Sequence, residues 1–192
     1  MKNLIWIDTT KCICMLFVYW LHVGMFSSHP LSFPIQYGPF FVNAFFFISG
    51  YLLIKKHETN NTIDSRRRTL NNIFYKICIP SVIFSSIDFL PKSIIRNEPM
   101  SLGGYVTDVL LQGTQWFTCA LAVAELLLLL TFCMMKRVTA MRIMSCSVIL
   151  FIVGCTLQTK GITVCGNDYL PWFYKSGLMA TLFLAMGGDF VA

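Results

Sequence analysis

The sequence predicts an all-α protein, a polytopic membrane bundle of about six transmembrane helices with its N-terminus in the cytoplasm. The first reason is composition, because 56% of the 192 residues are hydrophobic and only 12% are charged. Soluble globular chains have about 45–50% apolar and about 25% charged residues. The second reason is a series of long apolar runs, and the third is the distribution of basic residues between them. The same composition excludes disordered, collagen-like and disulfide-scaffold classes.

Six apolar runs support the helical prediction, since a spanning helix needs about 20 mostly apolar residues. None of them alternates polar and apolar residues as a barrel strand would. Helices then remain as the way to satisfy backbone groups in lipid. Pro80 is expected to interrupt the third run. In chain order the runs are residues 11–27, 38–54, 73–90, 116–135, 141–157 and 169–186, within a single membrane domain over residues 1–192.

The basic residues predict the orientation of the bundle. Ten of them lie in stretches on the side of the N-terminal tail, and three lie on the opposite side. Because Lys and Arg are enriched in cytoplasmic loops, we predict a multi-pass protein of the cell (inner) membrane with a cytoplasmic N-terminus. The formal net charge of +6 is divided among these short stretches. A lipid bilayer, and not nucleic acid, is therefore the expected partner.

The eight cysteines indicate neither a disulfide framework nor a metal centre. Seven of them lie within or at the edges of apolar runs, where a buried cysteine behaves as a small hydrophobic residue. Cys12 and Cys14 form a C-x-C pair without companion ligands, which is not the spacing of a zinc site. We therefore predict no bound metal.

Two ionisable residues of the first run, Lys11 and His22, are candidates for catalysis. They are eleven positions apart, so a helix projects both from one face, about 16 Å apart along its axis. Asp8 lies three residues before Lys11 and can pair with it. A histidine can accept and return a proton near neutral pH. The alternative is that Lys11 extends to the membrane interface and His22 is an interfacial hydrogen-bonding residue.

Charged residues also occur within the fourth and sixth runs, where they are costly unless they face the bundle interior or a water-filled cavity. Glu125 lies nine residues after Trp116, and Lys175 lies in the sixth run. Glu125 is either a structural partner for a lysine of another helix or a substrate-binding residue. Lys175 either extends to the interface or pairs with Glu125 or with an anionic ligand.

Three consecutive arginines, Arg66, Arg67 and Arg68, precede the third run. They are consistent with a topology signal that contacts anionic lipid. They are also consistent with a cytoplasmic docking site for a phosphate-rich donor, since guanidinium groups suit phosphate. Neither a P-loop nor a G-x-G-x-x-G motif occurs in the chain.

Several short motifs, taken in order, resemble the acyltransferase 3 family of membrane-bound acyltransferases, and its sugar O-acetylase-like branch in particular. Ile7 and Asp8, then Lys11, ten residues and His22, look like the opening of its first helix. Residues 45–53, Phe-Phe-Phe-Ile-Ser-Gly-Tyr-Leu-Leu, resemble its second-helix Phe-Phe-x-x-Ser-Gly signature. The other matching motifs are Ile79-Pro80 after Lys76, Gln115-Trp116-Phe117 with Glu125 downstream, and Leu170-Pro171-Trp172-Phe173 with Gly187-Gly188.

The resemblance implies transfer of an acyl group, usually acetyl, from cytoplasmic acyl-CoA to a hydroxyl of a sugar or surface glycan. Acyl-CoA is then the donor substrate, and no bound cofactor is implied. His22, as general base or acyl carrier, and Lys11 are the predicted catalytic residues, with donor docking at Arg66–Arg68. The residues for which we predict supporting or substrate-binding roles are Asp8, Ser49, Lys76, Trp116, Glu125 and Lys175.

The sequence departs from the family pattern in four respects. Lys11 stands where arginine is commoner, and Asn43 stands where an acid is common. Ile73 and Lys76 occupy the places of an Arg-x-x-Arg pair. Members usually have more helices than the six runs found here, so we expect the chain to be the N-terminal part of a longer acyltransferase domain. The alternatives are an inactive fragment of such an enzyme, or a transporter component whose intramembrane charges line a solute path.

Overall fold

The computed structural model describes residues 5–25, 32–96, 101–106, 116–135, 139–160 and 172–189. Regular secondary structure in these ranges is helical, which confirms the all-α prediction. A π-helical segment, Phe74–Cys78, joins the third and fourth α-helices. The α-helices are α1 (Ile5–Met25), α2 (Ser32–Thr59), α3 (Ile63–Ile73), α4 (Ile79–Arg96), α5 (Leu102–Tyr105), α6 (Trp116–Met134), α7 (Ala140–Lys160) and α8 (Trp172–Asp189).

The helix around Pro80 is continuous, because α3, the π-helical segment and α4 follow one another without a break. The prediction that Pro80 interrupts this run is wrong. The backbone N–H of Ile79 donates to the carbonyl of Phe74, five residues earlier, which widens the helix at this point. Proline lacks an N–H, and its ring crowds the carbonyl four residues before it. A wider turn immediately before Pro80 relieves that crowding, so the helix continues.

The start of α3 lies ahead of the predicted run and changes the setting of the three arginines. Thr62 caps the helix, since its side-chain oxygen accepts a hydrogen bond from the backbone N–H of Ser65 at 3.3 Å. Asp64 lies in the first turn, where a negative charge is favourable. Arg66–Arg68 therefore lie on a helix, and the expectation that they belong to a connecting stretch is corrected.

The centre of the bundle is α8, which packs against α2, α6 and α7. Helix α6 also contacts α3 and the π-helical segment. Small residues on α6 and α8 let these helices approach closely, and larger apolar side chains fill the space between them. The buried core residues are Phe46, Leu53, Ile54, Ile73, Ala120, Ala122, Ala124, Leu128, Leu129, Phe132, Ile143, Ala180, Leu184 and Ala185.

Glycines bring the backbones of α2 and α8 into direct contact. A Cβ atom on Gly50 would overlap the backbone of Leu184, and one on Gly187 would overlap the carbonyl of Phe47. Small residues permit such close helix crossings in membrane bundles. Gly50 of the second-helix motif and Gly187 near the end of the chain therefore belong to one helix contact.

The contact between α1 and α2 is made by side chains. The ring of Trp6 meets that of Tyr51 edge-on, with centroids 5.3 Å apart. Phe17 stacks on Phe41 with centroids 4.0 Å apart. Ile7 is buried in the same interface. Aromatic pairs of this kind add about 0.5–1.5 kcal/mol to the burial of their surface.

Apolar side chains cover the outward faces of α4 and α7, as expected for contact with lipid or with a partner. Within the described ranges, two helical segments are long and apolar enough to cross a membrane by length and composition, and two further apolar helices are shorter. The former are Ile63–Ile87 and Phe117–Met134, and the latter are Met141–Leu157 and Gly177–Gly188. The six spans and the cytoplasmic N-terminus stay predictions.

Candidate functional site

Three of the residues singled out in the sequence, Ser49, Lys76 and Glu125, lie around one cleft. The cleft lies between α2, the π-helical segment with the end of α3, and α6, and it has a volume of about 350 Å³. Its lining combines these polar groups with an apolar surface. The other lining residues are Leu52, Leu53, Lys56, Asn72, Ile73, Ile77 and Leu121.

A hydrogen bond between Ser49 and Glu125 joins α2 to α6 beside this cleft. The Oγ of Ser49 donates to Oε1 of Glu125, and the Glu125 side chain is buried. Successive helical residues point about 100° apart, so Gly50 can face α8 while Ser49 faces α6. The Ser-Gly pair of the motif therefore makes two different contacts. Ser49 makes a polar contact with α6, and Gly50 makes a close backbone contact with α8.

Aromatic residues of the same motif support the α2–α6 contact. The rings of Phe45 and Phe46 meet Phe117, with centroids 5.6 Å and 5.2 Å apart. Phe117 comes from the Gln-Trp-Phe motif at the start of α6. The structure thus brings the second and fourth predicted runs together through the residues that resemble the family.

The cleft reaches the basic end of the bundle, which we define by Lys55, Lys56, Arg66, Arg67, Arg68 and Lys76. Lys56 lies two helical turns after Ser49 on α2, and Lys56 and Lys76 both line the cleft. Partial burial, with the charges of Arg68 and Lys76, lowers the pKa of Lys56 below its ordinary value. The basic end therefore has a positive electrostatic potential, and a bound anion would lower that potential.

The three arginines predicted to dock a donor do not form one patch. Arg66 Nε donates to Asn61 Oδ1 at 2.9 Å, and its Nη2 donates to the carbonyl of Asn61 at 3.4 Å. Arg66 therefore holds the connection between α2 and α3. Arg67 and Arg68 are exposed, and consecutive residues on a helix point about 100° apart. Arg68 lies on the side of α3 that influences Lys56.

His57 is a buried residue that the sequence analysis missed. Its side chain is 1% exposed, and its ring lies 4.9 Å from that of Phe132 between centroids. Nε2 lies 3.1 Å from the Oγ1 atom of Thr69. Burial, followed by the charges of Lys56 and Arg66, lowers the pKa of His57 to about 4, so the ring is neutral at pH 7. A histidine beside two lysines at the end of an apolar run looks like an exposed terminus, so the sequence offered no signal.

Lys11 lies on the face of α1 that contacts α2. It is partly buried, four residues after buried Ile7 and three before buried Cys14. That spacing places all three on one side of the helix. Asp8, the predicted partner of Lys11, is exposed on the same helix.

Three further predicted site residues have helical backbones, but their side chains lie outside the described part of the chain. They are His22 on α1, Trp116 at the start of α6 and Lys175 on α8. The expected orientation of His22 into the bundle therefore stays a prediction. So does the proposed pairing of Lys175 with Glu125.

A family model described as an acyltransferase domain, of the acyltransferase 3 type, matches residues 4–188. The matched range contains every helix described above except the last residue of α8. No significant match was found among curated proteins or among solved structures.

Proposed function

This chain belongs to the acyltransferase 3 family, and we propose that it is a multi-pass enzyme of the cell (inner) membrane that acylates a sugar or surface glycan. The acyl group, usually acetyl, comes from acyl-CoA and goes to a hydroxyl of the acceptor. The observation that carries the proposal is the family match over residues 4–188. The two apolar helical segments support a membrane location.

The basic end of the bundle supports acyl-CoA as the donor. A coenzyme A molecule carries several phosphate charges, and lysine and arginine bind phosphate. Arg67 and Arg68 are exposed there, and the cleft lined by Lys56 and Lys76 extends to Ser49 and Glu125. In this proposal the nucleotide part of the donor lies at the basic end, and Ser49, Lys76 and Glu125 contact the bound substrate.

His22 is the residue on which we propose that the chemistry depends. As general base, its imidazole removes the proton of the acceptor hydroxyl while the oxygen attacks the thioester carbonyl, and coenzyme A leaves as the thiol with that proton. As acyl carrier, the imidazole attacks the thioester carbonyl and coenzyme A leaves as the thiol with the imidazole proton. The acceptor hydroxyl then attacks the acyl-imidazole, and the imidazole leaves with the hydroxyl proton. Lys11, on the same helix, supplies a positive charge near the entry of the donor.

The test measures transfer of radiolabelled acetyl from acetyl-CoA to glycan in membranes that contain the protein or its variants. His22→Ala should lose about 10² to 10⁴ in rate, as is usual when a general base is removed, and should still insert into the membrane. Lys11→Ala should also lose activity, and Lys11→Arg should retain more because the charge survives. Wild-type turnover in His22→Ala would refute the role of His22, and a wild-type protein without acyl transfer would refute the proposed function.

A further inference from the structure

The hydroxyl of Thr69 uses all of its hydrogen-bonding capacity in a small buried network. Its hydrogen is donated to the carbonyl of Ser65 at 3.0 Å. Its oxygen accepts from Nζ of Lys56 at 2.6 Å and lies 3.1 Å from Nε2 of His57. A hydroxyl has one hydrogen and two lone pairs. With the hydrogen given to Ser65, the hydrogen-bond network assigns the donor role to Nε2 of His57.

His57 is held in this tautomer at the expense of its other nitrogen. Nδ1 is buried and makes no hydrogen bond of standard geometry, and Asn61 lies near enough to the ring to favour its protonated form. A buried polar atom without a partner destabilises a fold. The hydrogen bond from Nε2–H to Thr69 is the stabilising contact that offsets the cost of burying Nδ1.

The network restrains the exposed side chain of Lys56. Lys56 lines the cleft, and its ammonium donates a hydrogen bond to the hydroxyl of Thr69 on α3. Arg68 and Lys76 lie close enough to lower the pKa of Lys56. Holding like charges together is unfavourable unless an anion binds between them. A lysine already fixed in place spares the ligand the entropy of ordering it.

We propose that Lys56, positioned by the His57–Thr69 pair and assisted by Arg68 and Lys76, forms a phosphate-binding subsite for the nucleotide part of the donor. The proposal rests on the proposed function, because that function supplies the phosphate-bearing donor. Lys56 is the binding residue, and Thr69 and His57 are positioning residues. The subsite lies about two helical turns along α2 from Ser49, where Lys56 and Lys76 line the cleft.

The experiment measures binding of coenzyme A and of pantetheine, which has the thiol arm without phosphate, to the purified protein in neutral-lipid nanodiscs. Thr69→Val keeps the shape of the side chain and removes the hydroxyl, whereas Thr69→Ser keeps the hydroxyl. We expect Thr69→Val to weaken coenzyme A binding roughly fivefold, the order expected when the ligand must order a free lysine. Pantetheine binding should be unchanged, and Thr69→Ser should bind coenzyme A within about twofold of wild type.

A second pair of variants tests His57. The amide N–H of His57→Gln can stand in for Nε2–H, so this variant should bind coenzyme A nearly as wild type. His57→Leu removes the donor and also the unpartnered nitrogen, so it should fold and yet bind coenzyme A as weakly as Thr69→Val. Melting temperatures identify any variant that fails to fold, and exposed Lys56→Met, which should weaken binding about tenfold, then decides the question.

The outcomes separate this proposal from the function on which it rests. Equal coenzyme A affinity in Thr69→Val, Thr69→Ser and Lys56→Met would overturn the subsite and leave the acyltransferase proposal standing. Lys56-dependent coenzyme A binding without acetyl transfer would support the subsite and refute the transfer reaction. If Lys56→Met weakens adsorption to phosphatidylglycerol vesicles and leaves coenzyme A affinity unchanged, the phosphate belongs to lipid and the subsite proposal is wrong.

Discussion

The two sides of α2 that face α1 and α8 are packed in different ways. Toward α8 the contact is backbone on backbone, because Gly50 meets Leu184 and Gly187 meets Phe47 without room for a Cβ atom. Toward α1 the contact consists of aromatic rings, the pairs of Trp6 with Tyr51 and of Phe17 with Phe41. Helix α2 therefore lies at a fixed distance from α8, whereas it contacts α1 through side chains.

This difference distinguishes the rigid α2–α8 pair from α1, the helix that carries the residues proposed for catalysis. Interlocked backbones have no rotamers with which to adjust, so α2 and α8 form the rigid part of the bundle. Aromatic side chains can repack while their helices shift by small distances. The residues proposed for catalysis, Lys11 and His22, belong to α1, the adjustable neighbour. Ser49 and Glu125 instead join α2 to α6 within the core. Four predictions test this comparison, beginning with the largest expected effect.

Gly50→Ala should cost more than about 3 kcal/mol of folding free energy, the upper range of overpacking. The added methyl group would meet the backbone of Leu184, which cannot rotate away. Thermal unfolding in detergent measures the effect. Gly103→Ala is the matched control, because its Cβ would meet nothing within 4 Å. A melting curve of Gly50→Ala that coincides with the control would remove the distinction between the two sides of α2.

Lowering the pH should destabilise the folded protein, because His57 is buried in its neutral form. The pKa of His57 is about 4 in the folded protein and about 6.5 in an unfolded chain. As pH falls, the unfolded chain binds the proton first, so stability is lost from about pH 6.5 down to about pH 4. The loss attributable to this group is about 3 kcal/mol, at about 1.4 kcal/mol for each pH unit. Unfolding midpoints between these pH values measure it, and His57→Leu, which cannot titrate, should lack this component. Identical pH dependence in both proteins would contradict the assignment.

Ser49→Ala should cost about 2 kcal/mol of folding free energy, because it leaves the buried Glu125 carboxyl without the hydroxyl that donates to it. This bond holds α2 against α6, whereas α2 contacts α1 through aromatic side chains, so its removal tests the contrast between the two sides of α2. Ser145→Ala is the control, since the exposed Ser145 hydroxyl donates to a carbonyl of its own helix at 2.8 Å. Chemical denaturation measures both, and equal midpoints would show that the Ser49–Glu125 bond contributes nothing.

Trp6→Leu should have the smallest effect, about 1 kcal/mol, which is the order of one aromatic pair. It removes the edge-on contact with Tyr51 and leaves α1 apolar. Met15→Leu on the exposed side of α1 is its control. Acetyl transfer should fall more than stability does, if α1 carries the chemistry. A loss of stability as large as that of Gly50→Ala would mean that both sides of α2 are equally rigid.

The helical class and the positions of the helices could be predicted, because they depend on local features of the chain. The run over residues 141–157, for example, lies within the observed Ala140–Lys160 helix. The error at Pro80 has a local cause as well. A proline excludes an ordinary α-helical hydrogen bond, but the sequence does not show whether the chain breaks or widens there. The structure shows the wider turn in Phe74–Cys78.

The sequence by itself determined that this protein is an all-α member of the acyltransferase 3 family, since apolar runs and motif order are properties of the chain. Only the tertiary structure decided that Ser49 and Glu125, which are 76 positions apart, meet beside one cleft. It also decided that Arg66 bonds to the helix connection at Asn61 and that buried His57 lies within hydrogen-bond distance of Thr69. The physical reason is that the type of a residue determines only which contacts it can make. Burial and hydrogen-bond partners, which set pKa and charge, arise when distant segments pack together.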